Sequence, residues 1–297
     1  MDNTGNNGRV VLVTGASSGF GRLTVEVLAR RGHTVFAALR DVDGRNRAAA
    51  ESLTALAAAD RLDLHVVELD VTDQSAADRA IATIVETAGR LDVVVNNAGA
   101  VFAGPVEAYT AEEGARQFDV NVWGALRVNR AALPQLRKQG HGLLIQISSV
   151  SDRVTVPFTG LYAASKAALS ALTDAWRHEL TAFGVESVTV QAAPYESSLG
   201  ANGTMPADGA RLDAYLPALG AFMTDLTATQ NAQDRDPQPV ADAIAELVEA
   251  PDGKRAHRTV VGPPAQRDAM DALNRATAET AQAVAADMGI AAHVHGG

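Results

Sequence analysis

The chain has 297 residues, 47% of them hydrophobic, enough to bury one large core or two small ones. Its formal charge of −10, from 25 basic and 35 acidic side chains, argues against nucleic acid or an anionic membrane as the main partner. The absence of cysteine removes disulfides, thiolate nucleophiles and cysteine-held zinc, and no run reaches the ~18 unbroken apolar residues of a membrane helix.

Residues 1–8 are polar, unlike a signal peptide, and are expected to form a short disordered lead-in to a soluble cytoplasmic protein. Arg9–Thr14 is a β-branched run that reads as a buried strand. It breaks into Gly15-Ala16-Ser17-Ser18-Gly19-Phe20-Gly21, and a helix follows to about Arg31. Strand, glycine-rich turn and helix together cradle phosphate, because glycines admit close backbone approach and the helix start presents N–H groups and a positive dipole end. Gly15, Ser17, Ser18, Gly19, Phe20 and Gly21 are therefore candidate cofactor contacts. A plain tight turn is the other reading, and the position straight after the first strand favours a nucleotide.

Thr34–Leu39 is a second strand ending in Arg40-Asp41. A carboxylate at such a strand tip accepts from the ribose 2′-OH of NAD, whereas an arginine pairs with the 2′-phosphate of NADP. Arg40 comes first, which points to NADP(H). Asp41 leaves NAD(H) as the alternative, and a solvated strand end is a further account of Arg40. A helix is expected over Arg45–Ala59, and a third strand, Leu64–Leu69, leads into Asp70 and Val71. Asp70 has two readings of equal weight: acceptor for an adenine amino group, or cap of the helix that starts near Asp73 and runs to Ala88. Leu91–Val95 is a fourth strand, followed by Asn96-Asn97-Ala98-Gly99. The small residues there would let a cofactor ribose lie against the backbone, and a plain turn explains them equally well.

One long helix is expected over Ala111–Gln139, with Asn121 and Gly124 as poor helix-interior residues. A distortion at Asn121 would free its carbonyl to hold a water; a buried structural amide is the other reading. The fifth strand, Leu143–Ile147, ends in Ser148-Ser149. The helix from Thr159 to Phe183 carries Tyr162 and Lys166, four residues apart and so on one face. Free tyrosine holds its proton to about pH 10. A nearby ammonium is expected to lower that value and let the pair move a proton near neutrality. Alone, the pair is a weak signal, since it also arises on solvated helix faces.

Ser187–Gln191 is a sixth strand whose exit reaches Pro194. From Tyr195 to Gln233 the pattern loosens, with no clear strand, and is read as the substrate-binding part. Pro237–Ala250 is helical, Arg258–Val261 makes a final edge strand, and Ala265–Met288 is a helix within a C-terminal tail spanning 263–297. His293 and His295 have no acidic or cysteine partner and are read as solvated, so no metal site is assigned.

Strand and helix alternate from Arg9 to Val261 without a linker, which predicts an α/β fold. It would be a single doubly wound domain over 9–262, a mainly parallel seven-stranded sheet with helices on both faces. Ligands bind such sheets outside the carboxyl ends of the strands. The Gly15–Gly21 turn, Arg40, Asp70, Asn97–Gly99, Ser149, Tyr162 and Pro194 all fall on that rim.

With this set in place the chain resembles the short-chain dehydrogenase/reductase family, in its compact single-domain branch with a Rossmann sheet. The resemblance rests on Thr14–Gly21 as Thr-Gly-x-x-x-Gly-x-Gly, with Phe20 where isoleucine is usual. It rests also on Asn96–Gly99, Asn121, Ser149 thirteen residues before the tyrosine, and Tyr162 with Lys166. It covers roughly residues 9–262. Leu39-Arg40-Asp41 is similar to NADP-preferring members, including steroid-type reductases. The resemblance implies that Tyr162 exchanges a proton with a carbonyl or alcohol oxygen and that Ser149 hydrogen-bonds the same oxygen. It implies that Lys166 lowers the Tyr162 pKa and holds nicotinamide-ribose hydroxyls, and that the Asn121 backbone anchors a water. It implies, too, a homodimer or homotetramer in which helices 111–139 and 159–184 pair across a two-fold.

Two places depart from the family pattern. Pro194 is followed by Tyr195 in place of glycine, and no threonine stands at the offset where the family meets the nicotinamide amide. Asp152-Arg153 follows the active serine where small residues are common; a surface ion pair of little energetic worth is the favoured reading, and contact with a polar substrate group is the other. The leading expectation is an NADP(H)-dependent oxidoreductase acting on a mostly apolar ketone, aldehyde or alcohol, with Phe102, Val154, Val156, Phe158, Tyr195 and the apolar residues of 215–226 near the substrate. The alternatives are an NAD-dependent dehydrogenase of the same family and a non-catalytic NADP-sensing regulator. The presence of all four of Asn121, Ser149, Tyr162 and Lys166 counts against the regulator.

Overall fold

A computed structural model of the chain describes residues 8–195, 203–231 and 235–294. The expected disordered lead-in lies almost wholly outside the described residues, as do residues 196–202 of the altered loop and His295. The seven strands are β1 (Val10–Thr14), β2 (Thr34–Leu39), β3 (Leu64–Glu68), β4 (Val93–Asn96), β5 (Gly142–Ser149), β6 (Val185–Ala192) and β7 (Arg258–Val261). They form one parallel sheet in the order β3-β2-β1-β4-β5-β6-β7. Parallel neighbours require crossovers, and the helices that supply them bury both sheet faces.

Strand β1 shows how the sequence achieves this. All five of its residues are buried, and successive side chains point to opposite faces. Val11 and Val13 pack into one core with Val25 and Leu28 of α1 (Gly19–Arg30) and Ile244 of α9 (Gln238–Glu249). Val10 and Leu12 pack into the other, with Ile84 of α3 (Gln74–Ala88) and Val128 of α5 (Gly124–Gln139). Each fully buried leucine or valine contributes about 1.5–3 kcal/mol relative to exposure. The remaining helices are α2 (Arg47–Asp60), α4 (Ala111–Phe118), α6 (Gly160–Leu180), α7 (Gly209–Asp213), α8 (Leu216–Asn231) and α10 (Pro264–Asp287).

The long helix expected over 111–139 is interrupted. Between α4 and α5 lies one π-helical turn, Asp119–Trp123, centred on Asn121. α4 itself begins with a full capping box between Thr110 and Glu113. The region after Tyr195 is more regular than its glycines and prolines suggest, because α8 runs for 16 residues. Pro217 falls in its first turn, where proline costs nothing, and Leu219, Phe222 and Leu226 recur at helical spacing. No helix among the described residues is long and apolar enough to cross a membrane.

Candidate active site

The sheet order reverses between β1 and β4, so the loops after these strands diverge and leave a crevice at their carboxyl ends. A cleft of about 390 Å³ occupies that place. Its walls include Gly15, Ser17, Ser18, Gly19 and Phe20 from the first turn, Arg40, Asp70 and Val71 from the next two strand exits, and Asn97, Ala98 and Gly99 after β4. Tyr162 and Lys166 close the far side. Residues from five separate strand exits thus meet in one cavity. Gly21, Asn121, Ser149 and Pro194 stand outside its wall.

The glycines at the turn are required by space. Gly15 has φ +66°, and a Cβ on it would lie 2.8 Å from the Ala98 Cα. A Cβ on Gly21 would lie 2.4 Å from Asn97 Nδ2 and 2.5 Å from the Gly15 carbonyl oxygen. Gly21 therefore acts from behind, letting α1 close on the β1 and β4 exits. Asn97 Nδ2 donates to the Thr14 carbonyl at 2.8 Å, and the backbone N–H groups of Asn97 and Ala98 both donate to Thr14 Oγ1 at 3.0 Å. The two turns are thus locked together into a concave backbone surface.

At the β2 exit the two candidate selectivity residues part. Asp41 adopts φ 49° and its carboxylate accepts the Arg45 N–H at 2.8 Å, so it is folded into its own loop. Arg40 lies at the cleft together with Arg45 and Asn46, and Asn46 Nδ2 donates to the Arg40 carbonyl at 2.6 Å. Arg45 was not singled out from the sequence, although the turn-forming Asp41-Val42-Asp43-Gly44 signals that the chain doubles back toward the strand tip here. At Asp70, the carboxylate accepts from the Thr72 N–H at 2.9 Å and the Thr72 hydroxyl at 2.7 Å. The helix cap is Asp73, which accepts the Ser75 N–H, so the capping alternative for Asp70 is overturned.

Tyr162 stands at the first turn of α6, and its hydroxyl is near enough to Ser149 for the serine to favour the phenolate. Ser149 Oγ also accepts the Ser151 N–H at 3.1 Å. The neighbouring Ser148 reaches the cleft wall, but its hydroxyl donates to Asp152 at 2.9 Å. Geometry thus distinguishes the two serines in the same direction as the thirteen-residue spacing. Lys166 is buried, donates from Nζ to the Ile147 carbonyl at 2.8 Å, and lies 5.7 Å from the centre of the Tyr162 ring.

The electrostatics correct one expectation. Burial pushes the Tyr162 phenol up to about 12, against the pull of the nearby Ser149 hydroxyl, and the Asp152 charge pushes the same way. Burial pulls the Lys166 ammonium down to about 8, with Asp152 opposing. The net result is a phenol above its free value, because burial outweighs the groups that favour the phenolate. Both groups are desolvated, and desolvation favours the neutral form of each.

The Asn121 side chain is satisfied on both edges by Ala100. Its Oδ1 accepts the Ala100 N–H at 2.8 Å, and its Nδ2 donates to the Ala100 carbonyl at 3.0 Å and to Ser165 Oγ at 3.0 Å. Ser165 Oγ in turn donates to the Tyr162 carbonyl at 2.7 Å. The amide is thus structural and joins the β4 exit to the start of α6, while the backbone around it takes the π-helical turn. The side-chain reading and the distortion reading of Asn121 hold together.

Pro194 is exposed, and its carbonyl accepts from Arg235 at 3.3 Å. Tyr195 packs edge-on against Phe20, with ring centres 6.3 Å apart. Asp152 is not at the surface: it is 5% exposed and bonded to Ser148 and Gln191. The surface ion pair expected for Asp152-Arg153 is overturned, because the chain turns inward through a 3₁₀ turn at Val150–Asp152. Among the described residues no group of His, Cys, Asp and Glu is arranged to hold a metal.

A concave glycine turn on a doubly wound sheet, opposite a half-buried tyrosine with a buried serine and lysine beside it, defines a dinucleotide-binding oxidoreductase class. Residues 9–204 match the short chain dehydrogenase family, and the chain belongs to it. It is 32% identical over 248 residues to the uncharacterized oxidoreductase YusZ of Bacillus subtilis (strain 168), covering 81% of this chain and 85% of that one. It is 32% identical over 189 residues to the 3-ketodihydrosphingosine reductase of Bacteroides thetaiotaomicron, covering 64% of this chain and 65% of that one. The crystal structure of a short-chain dehydrogenase from Streptomyces avermitilis superposes with a TM-score of 0.74 at 30% identity, covering 95% of this chain and 99% of that one.

Two structures share the fold at lower identity. An alcohol dehydrogenase from Thermococcus sibiricus complexed with 5-hydroxy-NADP has a TM-score of 0.68 at 23% identity, covering 85% of this chain and 95% of that one. A Burkholderia phymatum short-chain dehydrogenase/reductase in complex with NAD has a TM-score of 0.71 at 22% identity, covering 85% of this chain and 88% of that one.

Proposed function

We propose that this protein is an NADP(H)-dependent oxidoreductase that interconverts a mostly apolar ketone or aldehyde and its alcohol, with Tyr162 as the general acid/base. The observation that carries this reading is Tyr162 and Lys166, whose Nζ lies 5.7 Å from the Tyr162 ring centre, facing the glycine turn across one cleft, with Ser149 close behind. The fit of a dinucleotide rests on the glycine turn at the cleft, where glycine at 15 and 21 lets the β1 exit close tightly against Asn97 and Ala98 to form one concave backbone wall. NADP(H) is favoured over NAD(H) because Arg40 and Arg45 stand at the β2 exit while the Asp41 carboxylate is spent on its own loop. A bound nicotinamide supplies or accepts the hydride.

The protein's own residues then do the following. Tyr162, which holds its proton throughout the neutral range, donates it to the substrate oxygen during reduction; oxidation runs the same transfer backwards, from the phenolate left after that proton has passed to Lys166 and solvent. Ser149 donates a hydrogen bond to the same oxygen and stabilises the charge that develops on it. Lys166, tied to the Ile147 carbonyl, holds the nicotinamide ribose and replenishes the proton. Phe158 and Phe222, with ring centres 5.4 Å apart, offer apolar surface on the substrate side, whereas Phe102 is buried against Tyr109. Pairing of two copies through α5 and α6 is supported by Trp123 and Leu126, which remain 45% and 36% exposed at the start of α5. A cytoplasmic setting accords with this chemistry.

The test is titration of the purified protein with NADPH and NADH, followed by a ketone panel with the preferred cofactor. The expected result is an NADPH preference of tenfold or more, about 1.4 kcal/mol. Turnover should fall by about 10²–10⁴ in Tyr162→Phe with cofactor affinity retained. Undiminished turnover in Tyr162→Phe would sink the assignment.

A further inference from the structure

Asp152 is a buried carboxylate that the chemistry above leaves without a task. Its Oδ2 accepts from Ser148 Oγ at 2.9 Å and its Oδ1 accepts from Gln191 Nε2 at 2.6 Å. Gln191 Oε1 accepts from Asn274 Nδ2 at 2.7 Å. These bonds form one chain from the end of β5, across β6, to the C-terminal helix α10. The residues flanking its β5 end adjoin the reacting groups: Ile147, whose carbonyl holds Lys166, and Ser149, which stands near the Tyr162 hydroxyl. A buried carboxylate is costly unless it is bonded and compensated, so its retention here asks for a reason.

We propose that Asp152 is a positioning residue for the Tyr162 chemistry. Its carboxylate fastens the strand end bearing Ser149 to Gln191 and α10, and fixes a negative charge beside that strand end. This rests on the proposed role of Tyr162. The charge is felt at both Tyr162 and Lys166, where it favours the protonated form of each. The other charged groups around Asp152 are Arg153, next in the chain, and Arg258 on β7. Arg258 is itself bound through both oxygens of Asp174 on α6, at 2.6 and 2.7 Å, and Asp174 also bonds His257. Arg258 is thus largely answered by Asp174, while Arg153 stays beside Asp152; burial raises the Asp152 carboxyl, and its negative charge still favours the protonated form of both Tyr162 and Lys166.

The decisive variant is Asp152→Asn. An asparagine accepts from Gln191 through Oδ1 and donates to Ser148 through Nδ2, so it keeps both bonds and removes only the charge. The readout is the pH dependence of Lys166 acylation by acetic anhydride, followed by peptide mass. The wild-type midpoint should lie at about 8. Loss of a nearby negative charge makes the ammonium easier to deprotonate, so the midpoint should fall by about 0.5–1 unit in Asp152→Asn. The alkaline limb of kcat for ketone reduction should move down with it, with NADPH affinity unchanged.

An unmoved midpoint overturns the proposal, whatever happens to the rate or the melting temperature. Because acylation needs no turnover, failure of the ketone screen would count against the proposed function and leave this test readable. If Asp152→Asn does not fold, Ser148→Ala carries the test. It should lower kcat severalfold with NADPH affinity intact, and an unchanged kcat overturns the positioning role.

Discussion

Lys166 Nζ donates to the carbonyl of Ile147 at 2.8 Å, which ties the amine on α6 to the residue two places before Ser149 on β5. One hydrogen bond therefore joins the helix that carries Tyr162 to the strand that carries its serine partner. A lysine at 4% exposure is otherwise expensive to hold as an ammonium.

That expense has a measurable signature. The Lys166 pKa is pulled from 10.5 to about 8 by burial, so the folded protein binds its proton less tightly than the unfolded chain does. Stability contributed by this group is lowest below pH 8 and rises as pH increases from about 8 toward 10.5. Lys166→Met should abolish that rise and stabilise the protein at pH 7 by on the order of 3 kcal/mol, while abolishing turnover. Denaturant titrations of both proteins across pH 7–10 check this, and parallel curves for the two would disprove it.

Arg40 and Arg45 share the β2 exit, so their effects should be separable from those of Asp41. Arg40→Ala and Arg45→Ala should each weaken NADPH by about tenfold, ~1.4 kcal/mol, with NADH affinity unchanged. Asp41→Asn, whose carboxylate serves only the Arg45 turn, should leave the NADPH-to-NADH ratio in place. Fluorescence titration with both cofactors reads all three.

Gly21 makes no cleft contact, yet Gly21→Ala should abolish measurable cofactor binding. The added Cβ would meet Asn97 Nδ2 at 2.4 Å and the Gly15 carbonyl at 2.5 Å, forcing the two turns apart. The melting temperature should drop as well, because overpacking of this kind costs about 1–3 kcal/mol. Wild-type binding by this variant would mean that the turns tolerate separation.

The two adjacent serines should differ sharply. Ser149→Ala removes the hydroxyl near Tyr162 and should reduce kcat by about 10²–10³. Ser148→Ala loses a bond to Asp152 and should cost only severalfold. Steady-state kinetics with one ketone compares them, and equal losses would remove the distinction.

The sequence by itself determined the strand order of appearance, the rim on which the candidate residues fall, and the glycine turn. These are local properties: apolar alternation within a strand, and glycine, asparagine or serine where the chain must turn. Even Asn121 announced its π-helical turn, because asparagine and glycine close together weaken a helix from within. Tertiary structure alone decided matters that depend on distant partners. Asp152 read as a surface charge until β6 and α10 were seen to close over it. Arg45 joined Arg40 only when the Asp41 loop folded back. The glycine and proline of 216–231 masked a helix that buries none of its residues, and among the described residues only its Phe222 meets a ring of another segment, Phe158. Lys166 was expected to lower the Tyr162 pKa, and burial decided the opposite sign. Spacing records which groups are near in the chain, whereas the cost of holding a charge is set by how much water the rest of the fold removes.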